Sequence, residues 1–183
     1  VIPVLPLPEE LHRQERGLTA DPLNPLFRNV GLNHLKSRLR SHPDVANSDI
    51  QLTFTPASYK EGVQSQLDDF PGVTVASWQQ RPLSRGTVRP RSADPFAAPL
   101  INPNYLAEET DRRVLLAAMK LARRLLRTRP LEPYFDREDY PGPNVQSDDE
   151  LLAVARERGT TTFHPAGTCR MGPSSDPQAV VDD

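Results

Sequence analysis

The chain has 183 residues and a formal net charge of −2, so no global field favours nucleic acid or an acidic membrane surface as a partner. Its one cysteine, Cys169, excludes an internal disulfide and predicts a reducing, cytoplasmic location. No apolar run approaches the roughly 20 residues of a membrane helix, so we expect no membrane span.

Residues 1–47 are predicted to be a loop-rich entry or linker segment. Pro22, Pro25 and Pro43 interrupt polar sequence there, and only VGLNHLKSRLR favours a short helix. The chain does not begin with methionine, so we expect a piece of a longer protein. Its 20 prolines are spread along its length, so we expect many ordered turns rather than one disordered tail.

Three strands are predicted next, with no helix between them. In DIQLTFTPAS, Ile50, Leu52 and Phe54 alternate with polar residues, which is the period of a strand with one buried face. GVTVASWQQ is rich in β-forming residues and predicts a second strand. SRGTVRP predicts a third strand, close enough in sequence to be the antiparallel neighbour of the second.

Two helices come after the strands. From about residue 111 to 127 the apolar residues recur with helical spacing, and Thr110 is the expected N-cap. The arginines of this segment lie mainly outside the apolar stripe, which favours a solvated outer face over a site for an anionic partner. Ser147 and Glu150 form a capping box before the second helix, and Gly159 suits a left-handed position after it.

The predicted fold class is α+β, an antiparallel sheet with the helices packed on one face. The TTTF sequence at 160–163 favours a further strand that delivers His164 at its end. Residues 48–183 are taken as one domain.

Common metal, nucleophile and phosphate-binding motifs are missing from the sequence. His164 and Cys169 are five residues apart but have no further ligands at useful spacing, so we expect no metal site. Cys169 lacks the context of a reactive thiol, and a small buried cysteine is the commoner outcome. Neither GxSxG nor GxGxxG occurs, so the chain has no nucleophile elbow and no dinucleotide-binding fingerprint.

His164 is the candidate catalytic residue. Pro165 biases the backbone before it toward an extended conformation, so the imidazole would project from a defined position. Ala166, Gly167 and Thr168 leave open space beside it, as a substrate pocket or an approaching cofactor requires. Imidazole can accept a proton near neutral pH. The local sequence therefore allows a general base, although a lone histidine at a strand end is more often structural or exposed than catalytic.

The segment TTTFHPAGTCRMGPSSDPQAVVDD resembles the C-terminal signature of the glucose–methanol–choline (GMC) family of flavoprotein oxidoreductases. That signature is HP-x-G/C-T-x-x-M-G, a short loop, and DP-x-A-V-V/L-D. The matching positions are His164, Pro165, Gly167, Thr168, Cys169, Arg170, Met171, Gly172, Asp176, Pro177, Ala179, Val180, Val181 and Asp182.

Upstream sequence is similar to the same family. DIQLTFTPAS resembles a strand of its substrate domain, and RPLSRGTVRPRSADPFAAPLINPNYL resembles its stretch RP-x-SRG-x-V…S-x-DP…P-x-I-x-x-NYL. The Cys-Arg form is most similar to the choline-dehydrogenase-like branch. Residues 48–183 are thus identified as the family's C-terminal substrate-binding domain, truncated before its final flavin-domain elements.

The resemblance implies a cofactor, a reaction and a role for His164. A histidine at this position faces the flavin of FAD and, as part of an acid–base pair, helps take the hydroxyl proton of a small-molecule alcohol while hydride passes to the flavin. Thr162 and Phe163 are implied to line the substrate pocket. No cofactor-binding residue can be assigned within this chain.

The resemblance also implies parts that this sequence does not contain, namely the GxGxxG motif and the second catalytic histidine or asparagine. We therefore expect a fragment that is inactive alone and whose partner is the missing FAD-binding domain. The alternative is a stand-alone substrate-binding or interaction module without redox activity. Natural start and stop codons that bracket only these residues would favour the module.

Overall fold

The computed structural model describes the backbone of residues 2–4 together with residues 39–55, 57–60, 66–162 and 166–182. The chain divides into two compact units. The first, called the core unit, is Val1–Pro82 with Glu109–Gly159, and the second, called the hairpin unit, is Leu83–Glu108 with Thr160–Asp183.

A three-stranded antiparallel sheet lies in the core unit. Strands β1 (Ile2–Val4), β2 (Ile50–Thr55) and β3 (Val73–Gln79) are ordered β1-β3-β2. Leu52 pairs with Ser77 and Phe54 with Val75, so these side chains share one face. The first two predicted strands and their antiparallel pairing are confirmed. Strand β1 was not predicted, and the short helix expected at VGLNHLKSRLR lies almost wholly outside the described residues.

Helix α1 (Glu109–Leu126) supplies the other half of the core. Val114, Ala118 and Ala122 recur at helical spacing and are buried in one cluster with Ile50 and Val75 of the sheet. The predicted amphipathic helix is confirmed, but it begins earlier than expected, so Thr110 lies inside the first turn and is not the N-cap. Acidic Glu109 and Asp111 occupy that turn, where the positive end of the helix dipole favours them.

Helix α2 (Asp148–Arg158) begins at the predicted capping box. The Ser147 hydroxyl accepts the Glu150 N–H at 3.3 Å, and the Glu150 carboxylate accepts the Ser147 N–H at 2.9 Å. These two bonds satisfy backbone donors that a helix start leaves unpaired. Fully buried Leu151 joins the same cluster as α1, so both helices and the sheet enclose one core, and the α+β class is confirmed. Gly159 is extended, with φ −64°, rather than left-handed as predicted.

Loss of the Ser147 cap should destabilise the core unit modestly. We expect Ser147→Ala to lower the free energy of unfolding by about 1 kcal/mol, because the Glu150 N–H loses its acceptor. Urea denaturation followed by circular dichroism measures the change. Ser174→Ala, at an exposed serine, is the control and should change stability by less than about 0.5 kcal/mol. Equal effects of the two substitutions would contradict the capping role.

The hairpin unit contains a two-stranded antiparallel sheet of β4 (Thr87–Arg89) and β5 (Leu100–Asn102). The predicted third strand therefore exists, but its partner is β5 rather than the second strand of the core unit. Gly86 lies against the opposite strand, because a Cβ there would stand 2.2 Å from the Asn102 carbonyl oxygen. The predicted strand at 160–163 is wrong for residues 160–162, which are not in a strand.

Within the part of the chain that the structure describes, no helix combines the length and apolar character needed to cross a bilayer.

Candidate active site

The predicted catalytic residue falls in a short stretch that the structure does not describe. Phe163, His164 and Pro165 lie outside the described residues, so their roles stay predictions. Thr162, the other predicted pocket residue, is exposed. The described structure resumes at Ala166 and continues through the rest of the signature to residue 182.

The three residues after that stretch are small and open to solvent. Ala166, Gly167 and Thr168 are all exposed. Gly167 has φ +84°, a left-handed conformation that side chains with a Cβ rarely adopt, and nothing lies within 4 Å of the Cβ position it lacks. The glycine is therefore required by the backbone, and its surroundings can admit another group close to the main chain.

Residues 170–181, called here the signature loop, close on themselves. Met171 and Val181 form a parallel bridge, with the Val180 N–H donating to the Arg170 carbonyl at 2.8 Å. The Gly172 N–H donates to the Val181 carbonyl at 3.1 Å. Two ends of the motif that are ten residues apart are thereby fixed next to each other.

An ion pair within the loop reinforces this closure. Arg170 Nη2 donates to Asp176 Oδ2 at 2.5 Å, and Asp176 Oδ1 accepts the Gln178 N–H at 2.9 Å. These bonds, the Gln178 N–H first and Arg170 second, hold the pKa of the Asp176 carboxyl below its ordinary value of 3.8. Sequence reasoning gave neither residue a structural role, although both are positions of the signature.

Neutralising Asp176 should open the signature loop. A carboxyl with a lowered folded-state pKa stabilises the closed loop above its ordinary pKa of 3.8, and this contribution is lost as pH falls through the lower folded value. We expect Asp176→Asn to speed hydrogen exchange of the Val180 amide several-fold at neutral pH, and wild-type protection to decline only in the acid range. Exposed Asp182→Asn is the control. Unchanged exchange of the Val180 amide in Asp176→Asn would show that the ion pair does not hold the loop closed.

Cys169 differs from the sequence expectation, because it is a free and exposed thiol rather than a buried one. Its neighbours in the motif are exposed too, so no apolar environment encloses it. Across the described ranges, no three His, Cys, Asp or Glu side chains are grouped so that they could hold a metal ion.

Comparison with known proteins identifies the class of protein that carries this signature. A family model described as GMC oxidoreductase matches residues 82–183, which is more than half of the chain. The chain therefore belongs to the GMC oxidoreductase family, and it is choline-dehydrogenase-like.

Two curated relatives are similar to this chain over most of its length. The alcohol dehydrogenase (acceptor) of Pseudomonas putida is 38% identical over 144 residues, covering 79% of this chain and 26% of the relative. The mitochondrial choline dehydrogenase of Mus musculus is 39% identical over 145 residues, covering 79% of this chain and 24% of the relative. This chain spans about a quarter of the length of the curated relatives it matches.

Solved structures show the same fold. Pyridoxine 4-oxidase from Mesorbium loti is 28% identical with a TM-score of 0.67, covering 79% of this chain and 28% of that protein. An FAD-dependent oxidoreductase from Chaetomium thermophilum is 29% identical with a TM-score of 0.53, covering 62% of this chain and 19% of that protein.

Proposed function

We propose that this chain is the substrate-binding part of an FAD-dependent oxidoreductase that oxidises a small-molecule alcohol. The observation that carries the proposal is the complete signature in the sequence, whose residues 170–181 fold into a closed loop. Membership of the GMC family and the names of the two relatives, an alcohol and a choline dehydrogenase, support CH–OH donors as the substrate class. The cytoplasmic location expected from the single cysteine stays a prediction.

The described residues are compatible with a flavin beside the signature. Residues 166–168 are small and exposed, and the space beside Gly167 is open, so the edge of a flat ring system could approach the main chain there. The described residues offer no dinucleotide-binding fingerprint of their own, so binding of the rest of FAD falls to the flavin-binding part of a longer polypeptide. When bound, the flavin supplies the hydride acceptor, which no protein side chain can be.

His164 manages the proton of the reaction in this proposal. The neutral imidazole takes the hydroxyl proton of the alcohol, which makes the carbon-bound hydrogen a better hydride donor. Pro165 restricts the backbone at the histidine, and Thr162 and Phe163 line the pocket that orients the alcohol. The closed signature loop, which begins six residues after His164, anchors the chain on one side of this stretch.

The 183-residue chain should be colourless and inactive by itself, whereas the protein from the longer reading frame should be yellow. The reason is that this chain supplies the pocket residues but not the binding site for FAD. Absorbance of each purified protein after desalting measures retained flavin, and anaerobic mixing with choline or a primary alcohol should bleach the flavin of the long form. Flavin retained by the short chain, or a long form that holds no flavin, would contradict the proposal.

A further inference from the structure

The segment Leu83–Glu108 of the hairpin unit has no buried residue of its own. Among the residues that the structure describes, the apolar core is formed by the core unit alone. By contrast, six large apolar side chains of this segment are exposed: Leu83 54%, Val88 52%, Phe96 95%, Leu100 46%, Ile101 65% and Tyr105 65%. So many large exposed apolar side chains within one segment favour a binding surface over an ordinary solvated surface.

The backbone that carries these side chains is nevertheless well fixed. Asn104 Nδ2 donates to the Arg85 carbonyl at 3.0 Å, and the Ser84 hydroxyl accepts the Glu108 N–H at 3.2 Å. Gly86 allows the close approach of the Asn102–Pro103 backbone. An isolated two-stranded hairpin is at best marginally stable in water. This hairpin has specific backbone bonds but no buried residue of its own. We therefore expect it to gain stability from a partner surface that covers its apolar side chains.

The exposed apolar side chains lie on both faces of the hairpin. Val88 pairs with Ile101 across the strands, so these two share a face, and the next residue, Leu100, points to the opposite face. Both strands are exposed along their length. A two-fold contact with a second copy of the chain buries one patch on each copy. Covering both faces requires a partner that surrounds the hairpin.

We propose that Leu83–Glu108 is the surface that docks into the flavin-binding part of the full-length enzyme, which covers both faces of the hairpin. This proposal rests on the function proposed above. The relatives carry the matched segment within chains about four times as long, and the family match begins at residue 82, directly before it. The pyridoxine oxidase likewise has 72% of its chain outside the matched region, enough to form such a cover.

Accessibility of single positions in the full-length protein tests the docking surface. Phe96→Cys and Ile101→Cys should react with a thiol reagent at least about tenfold more slowly than Leu67→Cys, because reaction requires local opening of the contact. Leu67 is a matched control, since it is 58% exposed and lies in the core unit. Labelling is quantified for each peptide by mass spectrometry, so that exposed Cys169 does not interfere. Hydroxyl-radical oxidation of Phe96 and Tyr105 in the unsubstituted protein repeats the measurement without any mutation.

The outcomes separate this proposal from the proposed function. Hairpin thiols that react as fast as Leu67→Cys in a flavin-loaded enzyme would overturn the docking surface while the function stands. Protection that disappears on dilution, together with dissociation of a dimer seen by light scattering, would assign the surface to a second copy and also overturn it. Flavin content and alcohol-dependent bleaching of the same sample report on the function alone.

Discussion

In the full-length enzyme, His164→Ala should slow reduction of the flavin by alcohol by about 10²–10⁴-fold, the usual contribution of a positioned general base. FAD should remain bound, since the proposed role concerns the proton of the alcohol rather than the cofactor. Anaerobic single-turnover mixing of the flavin-loaded protein with alcohol measures this step directly and excludes any fraction that lost its flavin.

The pH profile distinguishes a base from a residue that only shapes the pocket. A histidine with an ordinary pKa of about 6.5 is neutral at higher pH, so the wild-type rate should fall as the solution is acidified and the imidazole is protonated. The His164→Ala rate should lack this dependence. His42→Ala is the control, because that side chain is 67% exposed, and its rate should match the wild type. A pH profile unchanged by His164→Ala would rule out the proton role.

Local periodicity explains which elements could be predicted from the sequence. The alternation at Ile50–Thr55 and the helical spacing within Glu109–Leu126 each describe one element packed on one core, so pattern alone located both. The capping box is equally local, because Ser147 and Glu150 bond to each other's backbone. These elements required no knowledge of the remainder of the fold.

The elements that were missed depend on distant parts of the chain. Strand β1 forms because it pairs with the edge of β3, some seventy residues away. No local sequence pattern predicts a pairing between segments so far apart. Strand β5 is only three residues long and lies between Pro99 and Pro103, and prolines normally argue against a strand. Its pairing with β4 brings the Asn102 carbonyl oxygen close to Gly86, and the sequence alone does not predict this contact.

At the candidate site, too, the sequence predicted single residues but not the contacts between residues that are separated along the chain. The motif identified His164 as the candidate catalytic residue, and Arg170 and Asp176 as matched positions. It did not show that Arg170 and Asp176 bond to each other. Their spacing of six residues within one loop was the available signal. Arg123 was also misjudged, because the solvated face predicted for the arginines of α1 does not hold for it. Its side chain is only 12% exposed, and its partner Glu138 lies fifteen residues further along the chain.

That partnership leads to the largest stability effect we expect in the core unit. Arg123 Nε and Nη2 donate to Glu138 Oε1 at 2.9 and 2.7 Å, and Nη2 also reaches the Gly142 carbonyl at 3.3 Å. The Glu138 side chain is 4% exposed, and the Arg127 guanidinium is further from it, at 3.8 Å. The pair therefore ties the connection between α1 and α2 onto α1, at a place where a lone charge has little access to water.

Arg123→Met should lower the free energy of unfolding by about 3–5 kcal/mol, because it leaves a buried carboxylate without its main partner. Urea denaturation measures the shift, with an unchanged m-value showing that both proteins unfold in the same way. Arg137→Met is the control: it breaks an ion pair with Asp136 in which the two side chains are 58% and 59% exposed, and should cost no more than about 1 kcal/mol.

The double variant Arg123→Met with Glu138→Leu decides what the ion pair contributes. Removal of both charges also removes the unpaired carboxylate, so the double variant should be more stable than Arg123→Met alone although it carries one more substitution. Such a result would mean that the two side chains act as a coupled pair, and a double variant close to the wild type in stability would mean that the pair adds little net stability. If instead the losses from the two single variants simply add, the two side chains act independently and the connection is held by its apolar contacts.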